Sequence, residues 1–327
     1  MSERDWRIDM DQIRTRAGQV YGPGFWGFVN YVVCAYRLQL EHGATWIHAT
    51  VSEEGLRFAS DATIPLGGDS DPFSKLPTGF WPSRGMGADG LILRGLSAQL
   101  RISSGGRDLA FRRGEQVKLP PSDASLTKET TLEIQPDDEV LSVTSVAPAF
   151  LRCYLKRTSC LYPKVTFELR DSVGSQTFQS PRGIQDLFDS ITAPYQLLHE
   201  PIHITGEEDE LQLELVVAFH SWTEDMRWSF VNKNRVPTGE HETALKVSLN
   251  AFRKRVAKSE LGYVAVMMLT HPDVHWFGAV KRNVCDPKLQ TLVSKVVTKN
   301  LKAWEKSHTS TIERLEESGS ISMGVFW

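Results

Sequence analysis

The sequence predicts an α+β protein of two domains, 1–192 and 193–327. Three observations carry that reading. Helical periodicities alternate with strand hairpins. The alternation comes in two blocks, each with its own strand-then-helix order. Between the blocks, the helical segment "GIQDLFDSIT" (183–192) runs into Pro194, which disfavours helical backbone at the residue before it.

Taken in order, the first helix covers about 28–42. Val32, Val33, Tyr36 and Leu40 recur at three- and four-residue spacing, and Gly43 can take the left-handed conformation that stops a helix. "TWIHATVSEEGLRFAS" (45–60) is a hairpin about a Glu-Glu-Gly turn, and 66–85, dense in Gly, Pro, Ser and Asp, is a loop. "LILRGLSAQL" (91–100) reads as a second helix, followed by a hairpin about Gly105-Gly106 and the strand "TTLEIQP" (130–136). A helix at 147–163 and an edge-like strand at 164–171 complete the first block. In the second block, 210–220, 226–233 and 262–271 are strands and 241–258 is an amphipathic helix. The stretch 286–318 is one long helix with a proline in its first turn.

Composition narrows the class of protein. A 41% hydrophobic, 24% charged chain is ordinary for a soluble globular protein, and no apolar run approaches the roughly 18 residues of a membrane span. The charged opening "MSERDWRIDM" is not a secretory signal. Four cysteines with no C-x-x-C pair read as reduced thiols, so a cytoplasmic location is expected. A net charge of −3 exerts no global pull on nucleic acid.

Three motifs resemble chemistry. "HEPIH" (199–203) matches the H-E-x-x-H of zinc proteases, which needs both histidines on one helical turn. Pro201 and the extended sequence after it oppose that turn. In a strand His199 and His203 stand ~13 Å apart, too far to share one ion. "GMGADG" (85–90) matches G-x-G-x-x-G but follows a loop, not a strand, so it fits no dinucleotide fold. A glycine-rich loop feeding a helix can still cradle phosphate, or simply make a tight turn. "HPDVH" (271–275) surrounds a turn and reads as solvated polar residues. No metal site is expected.

The order of these elements resembles the ATPase and transducer region of bacterial type II topoisomerases, the gyrase B subunit and its topoisomerase IV counterpart. "IRTRAGQVYG" (13–22) resembles the entry motif of that family, and "NYVVCAYRLQLEHG" (30–43) takes the place of its catalytic helix. "IPLG" (64–67) resembles the segment after the adenine-binding turn, "GMGADGLILRGLSAQL" (85–100) the phosphate loop and its helix, and "FVNKNRVPTGEHETALKVSLNAF" (230–252) the transducer. The resemblance implies a GHKL (Bergerat) α/β sandwich followed by a ribosomal-protein-S5-like transducer. It also implies a homodimer or a protein partner, with association to DNA or a topoisomerase.

Against that family the ATP site reads as degenerate. Tyr31 stands at the position of the general base and Ala35 at that of the magnesium ligand, so no catalytic residue is expected. The Asp-x-Gly-x-Gly turn that reads adenine is "SDATIP", where only Asp61, or Ser60, could substitute. Gly85, Gly87 and Gly90 of the phosphate loop, Thr131, and a transducer lysine, Lys281, remain as the relics of a nucleotide site. The expectation is a pseudo-ATPase that binds no cofactor. The alternative, an ATP-hydrolysing clamp using ATP and magnesium, needs another carboxylate, for which Glu41 and Asp89 are the candidates.

Overall fold

The computed structural model describes residues 10–15, 24–53, 55–68, 70–74, 89–118, 129–145, 147–257, 261–277 and 283–318. They form two compact units, one extending to Pro181 and the other beginning at Arg182.

The first unit is built on eight strands: β1 (Trp46–Ser52), β2 (Gly55–Ser60), β3 (Ser97–Ser104), β4 (Arg107–Arg112), β5 (Glu115–Val117), β6 (Thr130–Pro136), β7 (Thr166–Asp171) and β8 (Gly174–Phe178). They make one sheet in the order β5-β4-β3-β6-β2-β1-β7-β8, antiparallel throughout except where β1 pairs with β7. Strand alternation sends Ile47, Phe58, Ile102, Leu132 and Phe167 to one face, where they share a core with helix α2 (Phe25–Glu41). Alternate residues such as Arg57, Arg101 and Glu133 occupy the opposite face and are not buried. Helices α1 (Met10–Thr15), α3 (Asp89–Leu96) and α4 (Pro148–Ser159) complete this unit.

Helix α2 buries Val32 and Tyr36 as its periodicity predicts, together with Phe28, Tyr31, Ala35 and Gln39, each at most 1% exposed, whereas Val33 and Leu40 are only partly buried. It ends where Gly43 adopts a φ of 83°, donating its amide to Leu40 O. Two expectations are corrected here. The segment 91–100 is helical only to Leu96, because from Ser97 onward the chain pairs with β4 and β6. That long-range pairing overrides a local helical periodicity. The strand at 164–171 is not at the edge, since β8 pairs along its outer side.

In the second unit β9 (Ile202–Glu208), β10 (Leu211–His220), β11 (Met226–Val231), β12 (Asn234–Arg235) and β14 (Gly262–Thr270) form a sheet in the order β12-β11-β14-β10-β9. Helices α6 (Glu240–Val256) and α7 (Pro287–Ser307) pack together over the core of that sheet. Helix α5 (Ile184–Thr192) packs on β10 and β14. Three short strands, β13 (Thr238–Gly239), β15 (Trp276–Phe277) and β16 (Asn283–Val284), form a separate small sheet. The long helix expected over 286–318 opens as predicted, with Pro287 in its first turn and Asp286 accepting the Leu289 amide at 3.0 Å. It is interrupted at His308, and α8 (Thr309–Ser318) continues separately.

Candidate functional site

Helix α2 carries Tyr31 and Ala35 on its sheet-facing side, both wholly buried. Tyr31 Oη lies 2.6 Å from Ser97 Oγ, and Ser97 Oγ lies 2.6 Å from Leu93 O. A carbonyl can only accept, so the serine proton points to Leu93 and the tyrosine proton points to Ser97. Burial pushes the Tyr31 phenol above its ordinary range, and the Ser97 hydrogen bond offsets only part of that. Ala35 offers a methyl group, while its carbonyl accepts Gln39 Nε2 at 2.9 Å.

The turn after β2 separates Ser60 from Asp61. Ser60 lies on the buried face; Asp61 turns outward and accepts the Thr45 amide at 2.8 Å, the Trp46 amide at 3.2 Å and the Thr45 hydroxyl. Desolvation, the largest single influence, raises its pKa, but these hydrogen bonds together outweigh it and hold the carboxyl below the usual aspartate value. Asp61 therefore ties the end of β2 to the start of β1.

Thr131 pairs with Ala59 and Ser103 on the open face of the sheet, whereas Thr130 is fully buried beneath the helices. Thr130 donates to Ala62 O at 2.6 Å and lies 2.6 Å from Ser104 Oγ, which accepts the Ile64 amide at 2.9 Å. These two hydroxyls pin the 62–64 segment from below. Neither Thr130 nor Ser104 stands out in the sequence; the alternation of β6 is the available signal, because adjacent residues of a strand face opposite ways.

Gly90 is the second residue of α3. A Cβ there would lie 2.4 Å from Pro72 O and 2.7 Å from its carbon, so the glycine permits a close backbone approach. Before it, Asp89 is 2% exposed and is gripped by both Nε and Nη2 of Arg37, the former at 2.9 Å. Arg37 Nη2 also lies 3.7 Å from Cys34 Sγ, whose thiol is pushed up chiefly by burial and then by Asp89. Glu41, at the end of α2, is raised to about 7 by desolvation of its carboxyl and by Asp89, against the pull of Arg37. Gly85, Gly87, Ala279 and Lys281 lie outside the described residues.

The histidine motifs hold no metal geometry. His199 uses Nδ1 toward Glu200 O and Nε2 to accept the Phe219 amide, while His203 contacts Gln185 and Glu214. His271 turns Nδ1 to the backbone of Asp273. Among the described residues no three His, Cys, Asp or Glu side chains group to hold an ion.

This architecture is that of the GHKL ATPase and transducer region of the B subunits of type II topoisomerases. The structure aligns with the 43K ATPase domain of Thermus thermophilus gyrase B at a TM-score of 0.74, over 95% of this chain and 93% of that one, with 19% identity. It aligns with the B-subunit of the DNA gyrase from Myxococcus xanthus at 0.75, over 94% and 98%, with 18% identity. In sequence the chain is 25% identical over 177 residues to the B subunit of DNA topoisomerase 4 from Mycoplasma pneumoniae. It is 22% identical over 213 residues to the B subunit of DNA gyrase from Halalkalibacterium halodurans. These matches take in 50% and 58% of this chain but only 28% and 33% of the relatives. No family profile matches the chain. The chain is similar in sequence to part of the topoisomerase B subunits, and its fold is that of their ATPase domains, as the resemblance read from its motifs implies.

Proposed function

We propose that the chain is a gyrase-B-like pseudo-ATPase: a cytoplasmic binding or regulatory module that keeps the scaffold without turning over ATP. It acts as a homodimer or with a protein partner of its own and needs neither ATP nor magnesium. The observation that carries this reading is Tyr31. At the family's base position stands a buried phenol whose proton is already donated to Ser97. A phenol with a raised pKa cannot take a proton from water at neutral pH. Two further features support it: Ala35 has no oxygen for a hard cation, and the Asp61 carboxylate is engaged by Thr45 and Trp46.

Losing two or three polar contacts at about 1.5–3 kcal/mol each would weaken a micromolar nucleotide site to about millimolar or beyond. Calorimetry with Mg-ATP should accordingly find no micromolar binding, and phosphate release should stay at background. The competing reading, a divergent ATP-hydrolysing clamp acting on DNA, draws its support from Glu41, a carboxyl raised to about 7 beside Asp89. Steady phosphate release abolished by Glu41→Gln or Tyr31→Phe would establish that reading and end the first.

No helix among the described residues is long and apolar enough to cross a membrane.

A further inference from the structure

We propose that the open face of the first sheet is a docking groove for an acidic peptide segment of a protein partner. This stands apart from the nucleotide reading, because the groove lies on the side of the sheet away from Tyr31 and Ala35. The concavity has a volume of about 810 Å³ and crosses six strands, from β1 through β2, β6, β3 and β4 to β5. Its charged lining is Arg57, Arg101, Arg112 and Lys118 against one carboxylate, Glu133, a formal +3 in a chain whose total is −3.

Most of that positive charge is open to a ligand. Arg112 and Lys118 make no ion pair among the described residues. Arg57 reaches Glu133 only at 3.5 Å, and Arg101 reaches Asp108 at 3.7 Å. Exposed pairs of such length are screened and contribute little, so a ligand carboxylate can displace them. The rest of the lining, including Thr50, Ser52, Gln99 and Gln135, can hydrogen-bond a peptide backbone.

Register sets the spacing. Arg57 and Arg101 both stand opposite Glu133, on either side of it, so their Cα atoms are about 10 Å apart across three strands. Arg112 stands opposite Gln99, two residues along β3 from Arg101. Carboxylates at alternate positions of an extended peptide repeat every ~7 Å, within the sweep of these guanidinium groups. A single-stranded nucleic acid fits less well. The one aromatic residue of the lining, Phe111, is 2% exposed and offers no ring for a base to stack on.

The test uses the full chain and a fluorescein-labelled dodecapeptide of alternating Glu and Ser, followed by anisotropy at low salt. Binding should saturate, weaken as salt rises, and fall at least tenfold in the Arg57→Glu/Arg112→Glu variant. The exposed pair Lys156→Glu/Lys164→Glu makes the same change in net charge elsewhere on this unit and should leave affinity intact. If the double reversal disturbs folding by circular dichroism, Arg112→Gln, which breaks no ion pair, should still weaken binding severalfold. Absence of saturable binding, equal loss in both charge-reversal pairs, or tighter binding of a single-stranded or duplex DNA dodecamer would each overturn the proposal.

Discussion

Arg37 holds Asp89 through two nitrogens, clamping helix α2 to the first residue of α3. The carboxylate is 2% exposed, and Arg37 is the one cation paired with it among the described residues. Arg37→Met should therefore destabilise the chain by about 3–5 kcal/mol in urea unfolding, because it strands a buried charge. Changing both partners, Arg37→Met with Asp89→Leu, should cost much less. Equal losses in the single and double variants would mean that the pair contributes nothing as a pair.

Tyr31 offers a finer contrast. Tyr31→Phe keeps the ring and removes one hydrogen bond, leaving Ser97 still donating to Leu93 O. It should cost about 1 kcal/mol. Tyr31→Glu puts a carboxyl in the same buried position, so its cost should grow as pH rises above about 4.3, the ordinary glutamate value. Unfolding at pH 4 and pH 8 reads the difference; a Glu variant as stable at pH 8 as at pH 4 would show the site to be wet.

Thr130 and Thr131 separate the two faces of β6. Thr130→Val removes the donor to Ala62 O and the partner of Ser104, and should cost about 1–3 kcal/mol. Thr131→Val lies on the open face and should stay within about 0.5 kcal/mol of the parent. The reverse ranking would place the strand one residue out of register.

Acid should act on the second unit through its imidazoles. His199, His220 and His241 are each held below the ordinary histidine value, first of all by burial. Their neutral forms are favoured in the fold, so stability is complete above about pH 6.5 and is lost as pH falls below it. Each contributes at most about 1.4 kcal/mol per pH unit. Glu41 in the first unit has the opposite sign: its carboxyl is raised, so its contribution is present at low pH and fades as pH rises through about 7. Thermal melts of the Glu41→Gln variant, which removes the opposing carboxyl, should move downward from pH 7.5 to 5, and a flat profile there would mean that these histidines titrate normally.

Gly90→Ala should cost about 1–3 kcal/mol, because the new methyl meets the Pro72 backbone, which has little freedom to move. At Gly95 the nearest atoms are Ile13 Cγ2, at 2.7 Å, and Ile13 Cβ, at 3.3 Å, which belong to a side chain of the short helix α1 and not to backbone. Gly95→Ala should be the milder change, as differential scanning calorimetry of the two would show.

Local features of the fold are legible in the sequence. Gly43 stops its helix, and Gly105-Gly106 turn their hairpin with φ of 57° and 74°. His203 stands on β9, extended as the sequence after Pro201 suggests, whereas His199 lies in a bend before that strand. What escapes such reading depends on partners distant in sequence. The end of α3 at Leu96 is set by β6, more than thirty residues on. The choice of Thr130 over Thr131 is a matter of register, which a lone "TT" does not reveal. The grip of Arg37 on Asp89 joins residues that no periodicity connects.

The parallel pairing of β1 with β7 sets Trp46 beside Thr166, joining segments roughly 120 residues apart in the chain. During synthesis β1 leaves the ribosome long before the strand that will cover its flank, and β8 enters the sheet only by way of β7. Until then Trp46–Ser52 presents an unpaired backbone ladder, the kind of edge along which nascent chains join one another. Chaperone demand should therefore peak while this hairpin waits for residues 166–178, and fall once they emerge.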